Sequence, residues 1–217
     1  MPPAAASRGT FITLEGGEGA GKTTQAGLLV AALGRAGIAA CGTREPGGSP
    51  GGEAIRRLLL ADQGTLWDAT SEALLLIAAR REHVVRTILP ALDRGVWVVS
   101  DRFADSTLAY QGYGRGLPLA GLAQVQRFAL GEFAPDLTVI LDVPTEEGLA
   151  RAAARGTAGD RFERLDRAFH ERLREGFLAV ARDHAARCVV VDASADAQSV
   201  HRAVLAAVAR RCGIDFG

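Results

Sequence analysis

The stretch FITLEGGEGAGKTTQ, residues 11–25, decides the architecture. FITLE at 11–15 is a short apolar run of the kind that lies buried as a strand, and it passes directly into a glycine-rich turn. That turn, GGEGAGKT at 16–23, fits G-x-x-x-x-G-K-[ST] at Gly16, Gly21, Lys22 and Thr23. The residue types follow from what such a turn must do. Glycines let successive backbone N–H groups turn inward around a polyphosphate with no side chain in the way. A helix starting near Lys22 adds the positive end of its dipole. Lys22 places a compact cation on the β- and γ-phosphates, and Thr23 offers a hydroxyl to Mg²⁺. The expected nucleotide-binding stretch is therefore Gly16, Gly17, Glu18, Gly19, Ala20, Gly21, Lys22, Thr23 and Thr24. A glycine-rich turn can fit this pattern by accident, but here a clear strand precedes it and a clear helix follows.

Outward from that turn, apolar runs alternate with helical patterns. AGIAACGT at 36–43, VWVVSD at 96–101, LTVILDV at 137–143 and RCVVVDA at 187–193 read as further strands, the first weakly because it has few β-branched residues. Continuous rather than alternating apolar runs mean strands covered on both faces, as in a parallel sheet. Helical patterns at 22–35, 53–61, 70–93, 119–131, 145–155, 163–186 and 196–211 lie between them. The expected fold is α/β: a P-loop NTPase-type doubly wound sheet of five parallel strands flanked by helices, with its site at the carboxyl ends of the strands. No shift in composition marks a boundary, so residues 10–213 are expected to form a single domain behind a flexible tail at 1–9.

The 25 basic and 25 acidic residues cancel, so no net field draws the chain to nucleic acid or to an anionic membrane. No segment approaches the roughly 18 uninterrupted apolar residues of a membrane helix, and MPPAAASRGT at 1–10 lacks the features of a signal peptide. Cys41, Cys188 and Cys212 are few, odd in number and far apart, and read as reduced thiols. A cytoplasmic protein is expected. All but one of the 25 basic residues are Arg, the exception being Lys22, and the chain has no Asn. That single lysine excludes whole classes. Protein kinases need a Lys on a strand separate from the glycine-rich loop. GTP switches read guanine through Asn-Lys-x-Asp, and dinucleotide-binding folds need G-x-G-x-x-G where this chain has Lys22. What remains is phosphoryl transfer to a small acceptor, or a P-loop ATPase of another kind.

Four further segments bear on the acceptor: TREPGG at 43–48, EALLLIAARREH at 72–83, SDRFADSTLAYQGYGRG at 100–116 and the Arg-rich RAAARGTAGDRFE at 151–163. Taken singly, several of their residues have plain readings. Arg80 and Arg81 suit a solvated helix face, paired with Glu72 or Glu82. Tyr110 suits a packed aromatic. Arg151 and Arg155 share one helix face, which is usually surface. Arg102 stands just beyond a buried strand, where doubly wound folds bind ligands.

Together with FITLEGGEGAGKTTQ, these segments closely resemble the bacterial thymidylate kinases, in order and spacing, from about residue 10 to 210. The resemblance implies ATP and dTMP as substrates, Mg²⁺ as cofactor and a homodimer. It implies that Arg102 binds the dTMP phosphate with Arg44 near the same group, and that Asp101 helps organise Mg²⁺ beside Thr23. Glu18 would approach the deoxyribose 3′-hydroxyl and Arg80 would reach thymine. Thr107 and Gln111 would line the base pocket, Ser106 would also contact the substrate, and Tyr110 would lie beneath the sugar, disfavouring a 2′-hydroxyl. Arg151, Arg155 and Arg161 would belong to a short lid within 151–163 that brings charge to the transferring phosphate, GGEGAGKT itself having no Arg. One position departs from the family pattern: Leu76 stands where a Phe usually stacks on the base. Other readings are a kinase for a different nucleoside monophosphate, or a non-catalytic nucleotide-binding protein.

Overall fold

The computed structural model describes residues 8–61, 66–154 and 165–217. Five parallel strands form one sheet in the order β2-β3-β1-β4-β5. They are β1 (Phe11–Glu15), β2 (Ala40–Arg44), β3 (Trp97–Asp101), β4 (Leu137–Asp142) and β5 (Cys188–Asp192). The α/β doubly wound arrangement expected from the alternation is what the chain adopts. β1 lies at the centre with all of its residues buried, between β3 on one side and β4 on the other. The chain winds outward to both edges from β1, so the carboxyl end of β1 marks the switch point, where a crevice opens.

Around the sheet stand α1 (Lys22–Arg35), α2 (Pro50–Ala61), α3 (Ala69–His83), α4 (Leu89–Asp93), α5 (Ala104–Thr107), α6 (Leu119–Leu130), α7 (Thr145–Ala154), α8 (Arg167–Asp183) and α9 (Ala197–Cys212). Ile12, Leu14, Leu29, Leu33, Val139 and Val204 fill the layer between the sheet and α1 and α9. On the opposite face Phe11 meets Phe103 edge-on at 4.9 Å, with Ile88, Leu92 and Val98 around them. Asp68, Asp166 and Asp196 cap α3, α8 and α9, each accepting a backbone N–H from the first turn.

Three stretches differ from the sequence expectation. The weak strand expected at 36–43 begins later and runs to Arg44, because Ala36 and Gly37 close the end of α1: Ile38 N donates to Leu33 O at 2.9 Å. The shift sets Arg44 beside Asp101 in register. The single helix expected over 70–93 widens into a π-helical turn at Val84–Ile88 before α4. Pro90 explains it, since proline has no N–H to donate and its ring crowds the carbonyl one turn back. Residues 104–114 are helical too, α5 running into a second π-helical turn at Leu108–Gly114. Their Ser, Thr and Gly content hides a helix from pattern reading.

Candidate active site

Gly21 precedes α1 with φ 88°, and Gly16 and Gly19 also lie at positive φ, 137° and 69°. The turn between β1 and α1 is therefore a bowl of backbone with its amides free to face a ligand. Its back is closed by α7. A Cβ on Gly19 would lie 1.9 Å from Gly148 O, and one on Gly148 would lie 2.5 Å from Glu18 O, so only glycines permit this approach. Lys22 is buried, and its Nζ donates to Gly17 O at 2.6 Å. Burial, and then the neighbouring Arg102 charge, lowers the Lys22 ammonium to about 8. Thr23 Oγ1 donates to Asp101 Oδ2 at 2.5 Å, which brings a hydroxyl and a carboxylate together at the rim. Those are the hard oxygen donors that suit Mg²⁺.

Facing the bowl is a wall built on the end of β3. Arg102 adopts φ 70°, a left-handed conformation that an Arg rarely takes. The strain turns its side chain back toward the bowl, where Nη1 reaches Gly16 O at 3.2 Å and Nη2 pairs with Glu18 Oε1 at 3.0 Å. Its guanidinium lies 4.9 Å over the Tyr110 ring, and the Tyr110 hydroxyl donates to the same Glu18 oxygen. Burial would raise the Glu18 carboxyl, but Arg102 and Lys22 outweigh it and hold the group down at about 2.

The conformation at Arg102 has its own support. Glu15, wholly buried at the end of β1, accepts from Phe103 N at 2.7 Å, Ser106 N at 3.2 Å and Ser106 Oγ at 2.6 Å. Burial, followed by the charge of Asp105, pushes the Glu15 carboxyl up to about 7. Asp105 is in turn held by both Nη atoms of Arg187 at 2.7 Å.

Bowl and wall share one cleft of about 640 Å³. It gathers Glu18, Gly19, Gly21, Lys22, Thr23 and Thr24 from the first turn, and Asp101, Arg102, Ser106, Thr107, Tyr110 and Gln111 from the third strand onward. Arg44, Leu76 and Arg80, also expected from sequence, line it too. Gly16, Gly17 and Ala20 belong to the same turn but do not line the cleft.

A family profile described as thymidylate kinase matches residues 14–204. The chain belongs to the thymidylate kinase family. It is 53% identical to a thymidylate kinase of Nitrobacter winogradskyi over 210 residues, covering 95% of this chain and 91% of that one. It is 51% identical to a thymidylate kinase of Caulobacter vibrioides, covering 96% and 100%. The crystal structure of thymidylate kinase from Ehrlichia chaffeensis superposes with a TM-score of 0.75 at 37% identity, covering 93% of this chain and 98% of that one. Members of this family are nucleoside monophosphate kinases, enzymes that act on nucleotides.

Within the thymidylate kinase frame, two arginine readings change. Arg80, which alone suited a solvated helix face paired with Glu72 or Glu82, is only 2% exposed and paired with Glu45 at 2.7 Å. Arg151 stands apart from the cleft, donating to Ala193 O and Ser194 O at 2.6 Å and pairing with Glu147. Arg155 and Arg161 lie outside the described residues. Sequence reading also missed Glu15, Glu45, His83 and the Asp105–Arg187 pair. A carboxylate ending the largely apolar run FITLE was the available signal for Glu15. The rest meet only through the fold.

Proposed function

We propose that this chain transfers the γ-phosphoryl group of ATP to dTMP, giving ADP and dTDP. One observation carries the choice of a thymine-type base over cytosine, within the thymidylate kinase family the chain belongs to. Gln111 Nε2 donates to the Glu72 carboxylate at 2.7 Å, which fixes the amide's orientation, because a carboxylate only accepts. Its Oε1 is buried at the cleft without a partner. Nearby, Arg80 Nη1 and Nη2 each have one N–H engaged, with Thr107 and with Phe103 O, and keep a second. An acceptor beside a donor complements the N3–H and O4 of thymine. Uracil shares this pattern, and cytosine presents the opposite one.

The other residues divide the reaction between them. The bowl's amides and Lys22 would hold the ATP phosphates, and Thr23 and Asp101 would hold Mg²⁺. Bound there, the ion would neutralise charge on the phosphates being separated. Arg102 and Arg44 would hold the dTMP phosphate, with Ser106 and Thr107 lining the acceptor side. Glu18, ionised throughout the physiological range, would accept from the 3′-hydroxyl, with Tyr110 under the sugar. A nucleoside monophosphate has a second phosphate pKa near 6, so the attacking oxygen is already largely ionised and needs no general base. Catalysis is then alignment and charge neutralisation. With Arg151 engaged elsewhere, Arg155 and Arg161 are assigned the charge delivered to the transferring phosphate.

The reading extends to assembly and location. Leu74, Val85, Leu119 and Phe128 are exposed on or beside α3 and α6, with Phe128 93% exposed, and we assign this face to a homodimer. Among the described residues, no helix is long and apolar enough to cross a membrane. The free thiols of Cys41, Cys188 and Cys212 suit the cytoplasm. The deciding assay follows ADP release from Mg·ATP with dTMP, dUMP, dCMP or AMP. Turnover with dTMP well above the others is expected. No acceptor-dependent turnover would sink the enzyme reading, and preference for another monophosphate would reassign the acceptor.

A further inference from the structure

Arg80 is held more tightly than a ligand-reading arginine requires. Its Nε donates to Glu45 Oε2 at 2.7 Å, Nη1 to Thr107 Oγ1 at 2.9 Å and Nη2 to Phe103 O at 3.0 Å, with the guanidinium 5.4 Å over the Phe103 ring. The plane cannot turn without breaking several of these contacts. Glu45 touches Nε with one oxygen only. That is unusual, because a guanidinium and a carboxylate favour two parallel bonds. The second oxygen is occupied from behind: Glu45 Oε1 lies 3.0 Å from His83 Nδ1.

His83 is 0% exposed and does not line the cleft. Since a carboxylate only accepts, Nδ1 carries a proton, and Nε2 is left to bond Thr43 Oγ1 at 2.7 Å. The ring is clamped by the turn after β2 as well. A Cβ on Gly48, whose φ is 75°, would come within 2.3 Å of His83 Nε2, and Thr87 Oγ1 donates to Gly48 O at 2.6 Å. Without His83, Glu45 is free to rotate and grip the guanidinium through Nε and an η nitrogen together. That grip would withdraw an η N–H from the base.

We infer that His83 and Glu45 are positioning residues for base selection, His83 pinning Glu45 onto Arg80 Nε so that the η N–H groups stay directed at the base. The inference rests on the dTMP kinase reading above. Its test uses the full chain, comparing the unaltered protein with His83→Ala, His83→Asn and Glu45→Gln in steady-state kinetics with dTMP, dCMP and ATP. His83→Ala should raise KM for dTMP about tenfold and lower the dTMP-over-dCMP ratio of kcat/KM by a similar factor, with KM for ATP within about twofold. His83→Asn, whose amide nitrogen can stand in for Nδ1, should recover most of both losses. Should the alanine variant not fold, the isosteric Glu45→Gln reads the same split. A rise in both KM values with an unchanged base ratio, or an Asn variant no better than Ala, overturns the inference. An unaltered protein that does not phosphorylate dTMP overturns the functional reading and this inference with it. Turnover of dTMP with no change in any variant overturns this inference alone.

Discussion

The phosphate bowl and the acceptor wall face each other across one cleft and are made of different materials. The bowl is backbone: glycines at positive φ, inward amides, and a helix start, with Lys22 its cation, resting on Gly17 O. The wall is side chain: Arg102 and Tyr110 are held by Glu18 across the cleft, Arg80 by Glu45 and Gln111 by Glu72, partners that lie far from them in the sequence. Backbone recognition depends on a local string of residues. Side-chain recognition depends on distant pieces arriving together. The wall should therefore be sensitive to the shape of a charged group, whereas the bowl should be sensitive to bulk behind it and to the state of one ammonium.

The largest effect should come from the wall. Arg102→Lys keeps the charge but loses the planar fork that spans Gly16 O and Glu18, so kcat/KM for dTMP should fall about 100-fold while KM for ATP stays nearly constant. If both substrates suffer equally, wall and bowl do not divide the work as described. Next comes bulk behind the bowl. Gly148→Ala forces a methyl to 2.5 Å from Glu18 O, costing about 2 kcal/mol, which differential scanning calorimetry should show as a Tm lowered by roughly 4–8 °C. Gly121→Ala, with nothing near its added Cβ, is the matched control and should leave Tm unchanged or raised.

A smaller effect concerns the ammonium. Free Lys22 loses its proton near 8 because burial disfavours the charge, and bound phosphates would restore it, so nucleotide binding above that pH takes up a proton. The rate parameter kcat/KM for ATP should be flat between about pH 7 and 8, where the dTMP phosphate is ionised, and decline above it, by up to about tenfold per unit. Stability of the ligand-free protein runs the other way. Between about 8 and the ordinary value of 10.5 the unfolded chain holds a proton that the folded one lacks, so this group's contribution rises with pH. The smallest effect belongs to Leu76, which lines the cleft without a π face. Leu76→Phe should lower KM for dTMP by a few-fold through stacking, and an unchanged or raised value would show that the base does not lie against α3.

The same division explains what could be read in advance. The bowl was visible from residues 16–24 because each requirement there is local: a glycine for each turn, a lysine and a threonine at fixed offsets. The parallel sheet was visible because buried strands must be continuously apolar. Arg80 was misjudged when taken singly, since nothing adjacent in sequence announces Glu45 as its partner. Glu15 went unnoticed because its three donors come from Phe103 and Ser106, on the far side of β3. The helix at 104–114 was hidden by residues with poor intrinsic helix preference, which tertiary contacts with α8 override.

The close approach of Gly19 and Gly148 carries a lesson about inheritance. Each occupies a place from which the other's surroundings exclude a methyl group, so the two behave as one locus split between distant parts of the chain. Drift at either is blocked by a neighbour it never meets in the linear text. Gly148 belongs to no written signature, yet it is bound by the same rule as the glycines that do. A pattern search confined to the turn would call a chain with Val at 148 intact, although its bowl could not close.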